Sequence, residues 1–200
     1  MSTDRISAII LAGGRGQRMD DADKGLMPLG GKPLVAWVLA QIAPQVDEVL
    51  ISANRNLDEY RRFGYPVLAD HAPAEFSGPL AGILRALETA RNPLVLSVPC
   101  DTPFLPTNLV SRLQTALMEQ GADIAIPVTT DQPQRAACLC RRELAGHLKR
   151  FLEQGGRRVG EWQSQLKLAL VPFADSQAFA NINTPEQLSA AEQQLCGNKT

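Results

Sequence analysis

Between Pro93 and Val98 the chain reads Pro-Leu-Val-Leu-Ser-Val, apolar on both faces of an extended segment. A strand without a polar face must be covered on both sides, as a central parallel strand is when helices pack above and below it. This run delivers Pro99-Cys100-Asp101-Thr102-Pro103-Phe104 at its C-terminal end. A similar run, Ile6-Ser7-Ala8-Ile9-Ile10, leads into Leu11-Ala12-Gly13-Gly14-Arg15-Gly16-Gln17-Arg18-Met19. Such strands alternate with segments of helical apolar spacing. The pattern predicts an α/β fold, a Rossmann-like doubly wound and mostly parallel sheet. Folds of this kind bind ligands outside the carboxyl ends of their strands. The Gly-rich turn and Asp101 are therefore expected on the same edge.

Helical spacing predicts helices over Leu34–Ile42, Leu57–Arg62, Leu80–Thr89, Leu109–Glu119 and Glu143–Gln154. Further strands are expected at Glu48–Ser52, Tyr65–Ala69, Ile124–Val128, Ala137–Cys140 and Lys167–Val171. Pro33 is expected to open the first helix after the Gly30-Gly31 turn. Phe179–Asn183 reads as another strand end, with Asn181 and Asn183 on one face and so directed into one cleft. Thr184, Pro185 and Glu186 read as cap, first helical position and early acid of a last helix.

The glycines of the first turn let successive N–H groups approach and point at phosphate oxygens. Arg15 and Arg18 add forked cationic donors, and Lys24, within Asp23-Lys24-Gly25, reaches the same loop. The spacing is neither G-x-G-x-x-G nor a P-loop, whose Gly-Lys-Ser/Thr is missing, and a plain turn is the alternative reading. Asp101 beside a triphosphate loop suits Mg²⁺, a hard oxygen for a hard cation; its alternative is a turn or helix-cap residue. Ser52 and Asn54 end a strand, either as turn formers or as contacts to a base or ribose. Ser77-Gly78-Pro79 leads into a helix whose N-terminus favours anions. Arg157 and Arg158 beside Gly155-Gly156 suit a second anionic substrate or a solvated surface. His71 and His147 have no motif around them.

With 200 residues, the chain fits one domain with ample core. The N-terminal half, 1–105, is expected to bind the phosphate-bearing nucleotide and the C-terminal half, 106–200, a second substrate as acceptor. A net charge of −1 argues against an unspecific nucleic-acid binder. No window approaches about 18 uninterrupted apolar residues, and no basic-then-apolar leader opens the chain. The expectation is a cytoplasmic protein without a membrane segment. Four cysteines without framework density predict reduced thiols.

The turn Leu11–Met19 resembles the nucleotidyltransferase superfamily with its glycosyltransferase-A-like fold. Asp23-Lys24-Gly25, Gly31-Lys32-Pro33-Leu34, Ala53-Asn54-Arg55, Ser77-Gly78-Pro79-Leu80-Ala81-Gly82, Pro99-Cys100-Asp101-Thr102-Pro103 and Asn181-Ile182-Asn183-Thr184-Pro185 follow in order over almost the whole chain. The series is similar to the molybdenum cofactor guanylyltransferase family. That resemblance implies transfer of GMP from GTP to the terminal phosphate of molybdopterin, with pyrophosphate released and Mg²⁺ as cofactor. The nucleotide contacts it implies fall on Leu11, Ala12, Gly13, Gly14, Lys24, Ser52, Asn54, Asp70 and Asp101. The resemblance implies that Asp101 also holds the metal, and Arg15, Arg18 and Lys24 are expected to stabilise moving charge. On the acceptor side it implies Gly78, Arg157, Arg158, Asn181 and Asn183. At Pro133-Gln134-Arg135-Ala136 the chain departs from relatives, which often carry a His-Pro pair; Gln134 takes the His position. A monomer that docks transiently with cofactor-assembly proteins or apo-molybdoenzyme chaperones is the implied state. A cytidylyltransferase acting on the same pterin, another nucleotidyltransferase of this fold, or a nucleotide-binding protein without turnover are the competing readings.

Overall fold

The computed structural model describes residues 4–12, 23–69, 78–130 and 132–197. The elements are, in order, β1 (Ile6–Leu11), β2 (Pro28–Leu29), β3 (Lys32–Pro33), α1 (Leu34–Ile42), β4 (Glu48–Ser52), α2 (Leu57–Arg61) and β5 (Val67–Leu68). Then come α3 (Pro79–Thr89), β6 (Leu94–Pro99), α4 (Leu109–Glu119), β7 (Ile124–Thr129), β8 (Gln132–Pro133) and β9 (Cys138–Arg141). The chain continues through α5 (Ala145–Glu153), α6 (Val159–Gln163) and β10 (Leu168–Pro172) to α7 (Pro185–Gly197).

One sheet runs in the order β10-β7-β9-β6-β1-β4-β5, with β8 paired to β7. It is parallel except at β9, which is antiparallel to both β6 and β7, and at β8. The doubly wound pattern follows from alternation in the strands. In β1, Ile6, Ala8 and Ile10 face a core shared with α1 and α4, while Ile9 faces a second core built with α3, α5 and α6. Ser97, fully buried in β6, is satisfied by donating to the Ala136 carbonyl at 2.9 Å. Cys138 and Cys140 of β9 are buried free thiols. Burial pushes the Cys138 thiol up to about 12 and that of Cys140 upward as well, so both stay protonated.

A small third cluster explains how the C-terminus reaches the front of the sheet. Gly30 and Gly31, both at positive φ, form the two-residue turn that pairs β2 with β3. Pro33 closes that hairpin as the residue before α1, one position earlier than a helix-opening proline. Leu29 and Leu34 pack with Ile182 and Ala191, so α7 is docked against the hairpin. The segment before α7 is not the sheet strand expected for Phe179–Asn183. It is a 3₁₀ turn (Gln177–Phe179) followed by extended backbone tied to the sheet edge.

Candidate active site

Parallel pairing sets three strand ends level. Leu11 pairs with Ser52 on one side and with Pro99 on the other. Beyond these pairs the Ala12 amide donates to the Ser52 carbonyl at 2.8 Å, and the Cys100 amide to the Leu11 carbonyl at 3.1 Å. Leu11, Ala12, Ser52 and Asp101 thus share the carboxyl edge of the sheet, as the strand pattern requires. Gly82 of α3 lets the helix lie close over this edge: a Cβ there would sit 2.7 Å from Leu11 Cδ2 and 2.8 Å from Ser52 Oγ.

Lys24 and Asp101, 77 residues apart in sequence, meet at this edge. The Lys24 ammonium donates to Asp101 Oδ2 at 2.7 Å and also to Asn183 Oδ1. Both charges are largely withdrawn from water, with side chains 20% and 10% exposed. The other carboxylate oxygen, Asp101 Oδ1, is buried and has no hydrogen-bond partner among the described residues. Such an atom is costly unless a cation or donor completes it. Asn183 is brought here because the Ile182 amide donates to the Asp101 carbonyl at 2.9 Å while the Ile182 side chain fills the small cluster under α7.

The turn that presents Lys24 is buttressed by residues that carry no motif of their own. Asp23 accepts hydrogen bonds from the Tyr60 hydroxyl at 2.5 Å and from Asn56 Nδ2 at 3.0 Å. Tyr60 is fully buried; burial first, then the bond to Asp23, holds its proton well above the usual tyrosine range. Gly25 lies flat between Tyr60 and Cys100, since a Cβ would fall 2.4 Å from the Tyr60 hydroxyl and 3.3 Å from Cys100 Sγ. Burial, with the Asp101 charge beside it, raises the Cys100 thiol and so favours its protonated form. Tyr60 sits at ordinary core spacing on α2, so only the Asp-Lys-Gly triplet itself signals this support.

Tyr60→Phe keeps the buried ring and deletes only the donor to Asp23. We expect kcat to fall roughly tenfold and stability by about 1.5 kcal/mol, the scale of one hydrogen bond to a charged group. A lowered melting temperature with unchanged kcat would reduce Tyr60 to a packing role.

The remaining candidates are spread around this centre. Asn54 lies exposed just past β4, and Gly78, at positive φ with open space beside it, precedes α3. Asn181 is exposed, on the far side of buried Ile182 from Asn183 in sequence. Arg157 donates from Nη1 to the carbonyls of Leu152 at 2.8 Å and Gly156 at 2.7 Å, closing the C-terminus of α5. Arg158, 83% exposed, pairs with Glu161. Gln134 donates to Thr129 Oγ1 at 2.8 Å. His147 accepts from the buried Trp162 indole at 3.2 Å and is thereby used in packing. Gly13, Gly14, Arg15, Arg18, Asp70 and His71 lie outside the described residues.

The MobA-like NTP transferase domain family matches residues 8–167. A molybdenum cofactor guanylyltransferase of Ralstonia nicotianae is 48% identical over 195 residues, covering 93% of this chain and 95% of that protein. The chain belongs to the molybdenum cofactor guanylyltransferase family. A second member, from Cupriavidus taiwanensis, is 46% identical over 197 residues and covers 96% and 98% of the two chains. Among solved structures, molybdopterin-guanine dinucleotide biosynthesis protein A from Archaeoglobus fulgidus superposes with a TM-score of 0.79 at 25% identity, over 96% of this chain and 99% of that one. The 2-C-methyl-D-erythritol 4-phosphate cytidylyltransferase of Thermus thermophilus shares the fold, with a TM-score of 0.73 at 20% identity over 96% and 99%. The chain is thus a nucleotidyltransferase-fold enzyme of this family, and among the described residues no helix is long and apolar enough to cross a membrane.

Proposed function

We propose that the protein transfers GMP from GTP to the terminal phosphate of molybdopterin, forming the guanine dinucleotide form of the cofactor and releasing pyrophosphate. The observation that carries this reading is near-full-length identity to curated guanylyltransferases, 48% in one case. The meeting of Lys24, Asp101 and Asn183 at the strand ends supports it.

The chemistry asks for little beyond charge control. An oxygen of the pterin phosphate attacks the α-phosphorus of GTP and forms a new P–O bond. The bond from that phosphorus to the α,β-bridging oxygen breaks, and pyrophosphate leaves with the electron pair. A phosphate is anionic at neutral pH, so no general base is needed. The protein's work is to hold two anions together and to stabilise charge as it shifts. An ammonium carries three donors, and two of those on Lys24 are used by Asp101 and Asn183. Among the described residues nothing takes the third, which is left for the α-phosphate or the leaving oxygen. Gly13, Gly14, Arg15 and Arg18 are proposed to receive the leaving phosphates, and Leu11, Ala12, Ser52, Asn54 and Asp70 the nucleoside.

Mg²⁺ fits the donor set. The unpartnered buried oxygen of Asp101 is a hard ligand, and no group of three metal-ligating side chains occurs among the described residues. A buried carboxylate oxygen suits a cation completed by substrate phosphates and water. Bound there, Mg²⁺ would supply charge neutralisation at the α-phosphate.

Calorimetric titration with GTP, CTP and ATP in the presence of Mg²⁺ tests the nucleotide half of the reading. Selective GTP binding is expected, followed by pyrophosphate release once molybdopterin is added. Selective CTP binding would transfer the assignment to a cytidylyl enzyme.

A further inference from the structure

We propose that Arg135 is a built anion ligand on the acceptor side, a guanidinium fixed to take the phosphate of the acceptor; this rests on the transferase reading above. The support comes from Gln163, which is fully buried on α6. Both ends of its amide reach one residue, with the Cys138 thiol as a further partner. Nε2 donates to the Arg135 carbonyl at 2.9 Å, and Oε1 accepts from Arg135 Nη1 at 3.1 Å. A buried amide is tolerated only when bonded, and these bonds immobilise a single arginine. Gly160, one turn earlier on α6, makes room for it: a Cβ there would stand 3.2 Å from Arg135 Nε and 3.4 Å from Cζ.

Arg135 is nonetheless an exposed residue, and among the described residues no carboxylate pairs with it. That sets it apart from Arg158, which has Glu161. An arginine cannot shed its charge, so a rigid, unneutralised guanidinium is a standing site for a planar or tetrahedral oxyanion.

Its place in the fold supplies the second observation. In the antiparallel β6–β9 pair, Ser97 is opposite Cys138. Because the pair is antiparallel, the turn 135–137 that leads into β9 lies toward the carboxyl end of β6, which Asp101 follows. The Ser97 hydroxyl bond to the Ala136 carbonyl ties that turn to β6. Arg135 therefore stands one strand over from β6, on the side of the sheet edge away from β1. A phosphate held there is placed to meet the nucleotide from the acceptor side.

The test is steady-state GMP transfer by the full chain, with KM measured separately for molybdopterin and GTP. Arg135→Ala should raise the molybdopterin KM roughly tenfold or more, the scale of one charged hydrogen bond, with the GTP KM changed by less than about twofold. Arg135→Lys should recover part of the loss. Gly160→Ala, which displaces the guanidinium, should raise the same KM by a smaller factor and serves if Arg135→Ala folds poorly. An unchanged molybdopterin KM in Arg135→Ala and Gly160→Ala, or an equal rise in both KM values, overturns the proposal. Wild-type protein that transfers no GMP to molybdopterin overturns the transferase reading instead, and the control distinguishes the two failures.

Discussion

Asp101→Asn is expected to lower kcat about 10²–10³-fold while leaving the protein folded. The carboxamide keeps the shape and still offers an oxygen to Lys24, so the 2.7 Å contact can persist without its charge. What is lost is the negative charge on Oδ1, the buried oxygen without a hydrogen-bond partner among the described residues. A group aimed at charge developing in the transition state is typically worth about 2.7–4 kcal/mol, and that energy converts to a rate loss of this size. Stability should change by no more than about 1–2 kcal/mol, since removing a buried carboxylate relieves its desolvation. Lys24 meanwhile retains Asn183 and some access to water. Pyrophosphate release and thermal melting, measured on the same preparation, check both halves. Near-wild-type kcat with Mg²⁺ present would remove Asp101 from the mechanism and with it the proposed metal site.

How far the sequence discloses this site depends on whether the information is local. Leu34–Ile42, Glu48–Ser52 and Leu109–Glu119 are read with their observed bounds because each carries its own period and its own terminators. Asp101 is legible because it follows a strand, and parallel strands of one sheet must deliver their ends to one edge. Lys24 is legible through its short distance in sequence from the Gly-rich stretch that follows β1. The antiparallel insertion of β9 between β6 and β7 is not legible, since a short apolar run pairs equally well in either direction. Phe179–Asn183 misleads for a related reason. Extended backbone has the same two-residue alternation whether it joins a ladder or, as in this chain, makes one bond to Asp101 and turns away. Asn183 reads as a cleft residue from that alternation, yet its partner, Lys24, lies 159 residues away. Tyr60 with Asp23, and Gln163 with Arg135, are invisible for the same reason: each side chain reads as ordinary core or surface until its distant partner is in place.

Lys24→Met should cost more than any other single change, and in two separable ways. It removes the ammonium from the centre of the site, and it leaves the Asp101 carboxylate buried without a counter-charge. Breaking one side of a buried pair commonly destabilises by about 3–5 kcal/mol, so the variant should melt well below wild type. GTP affinity and kcat should both collapse, with kcat down about 10³-fold, because no other cation among the described residues contacts Asp101. Lys24→Arg should not restore turnover, since a planar fork cannot occupy the point-like position between Asp101 Oδ2 and Asn183 Oδ1. The double variant Lys24→Met with Asp101→Asn separates the two costs. Without the orphaned charge it should regain most of the lost stability, and the coupling between the two sites should be strongly non-additive in melting experiments. It should remain inactive, because both of the charges proposed to act in catalysis are gone. Recovery of both stability and turnover in the double variant would make the Lys24–Asp101 pair a structural bridge and relocate the chemistry elsewhere on the edge.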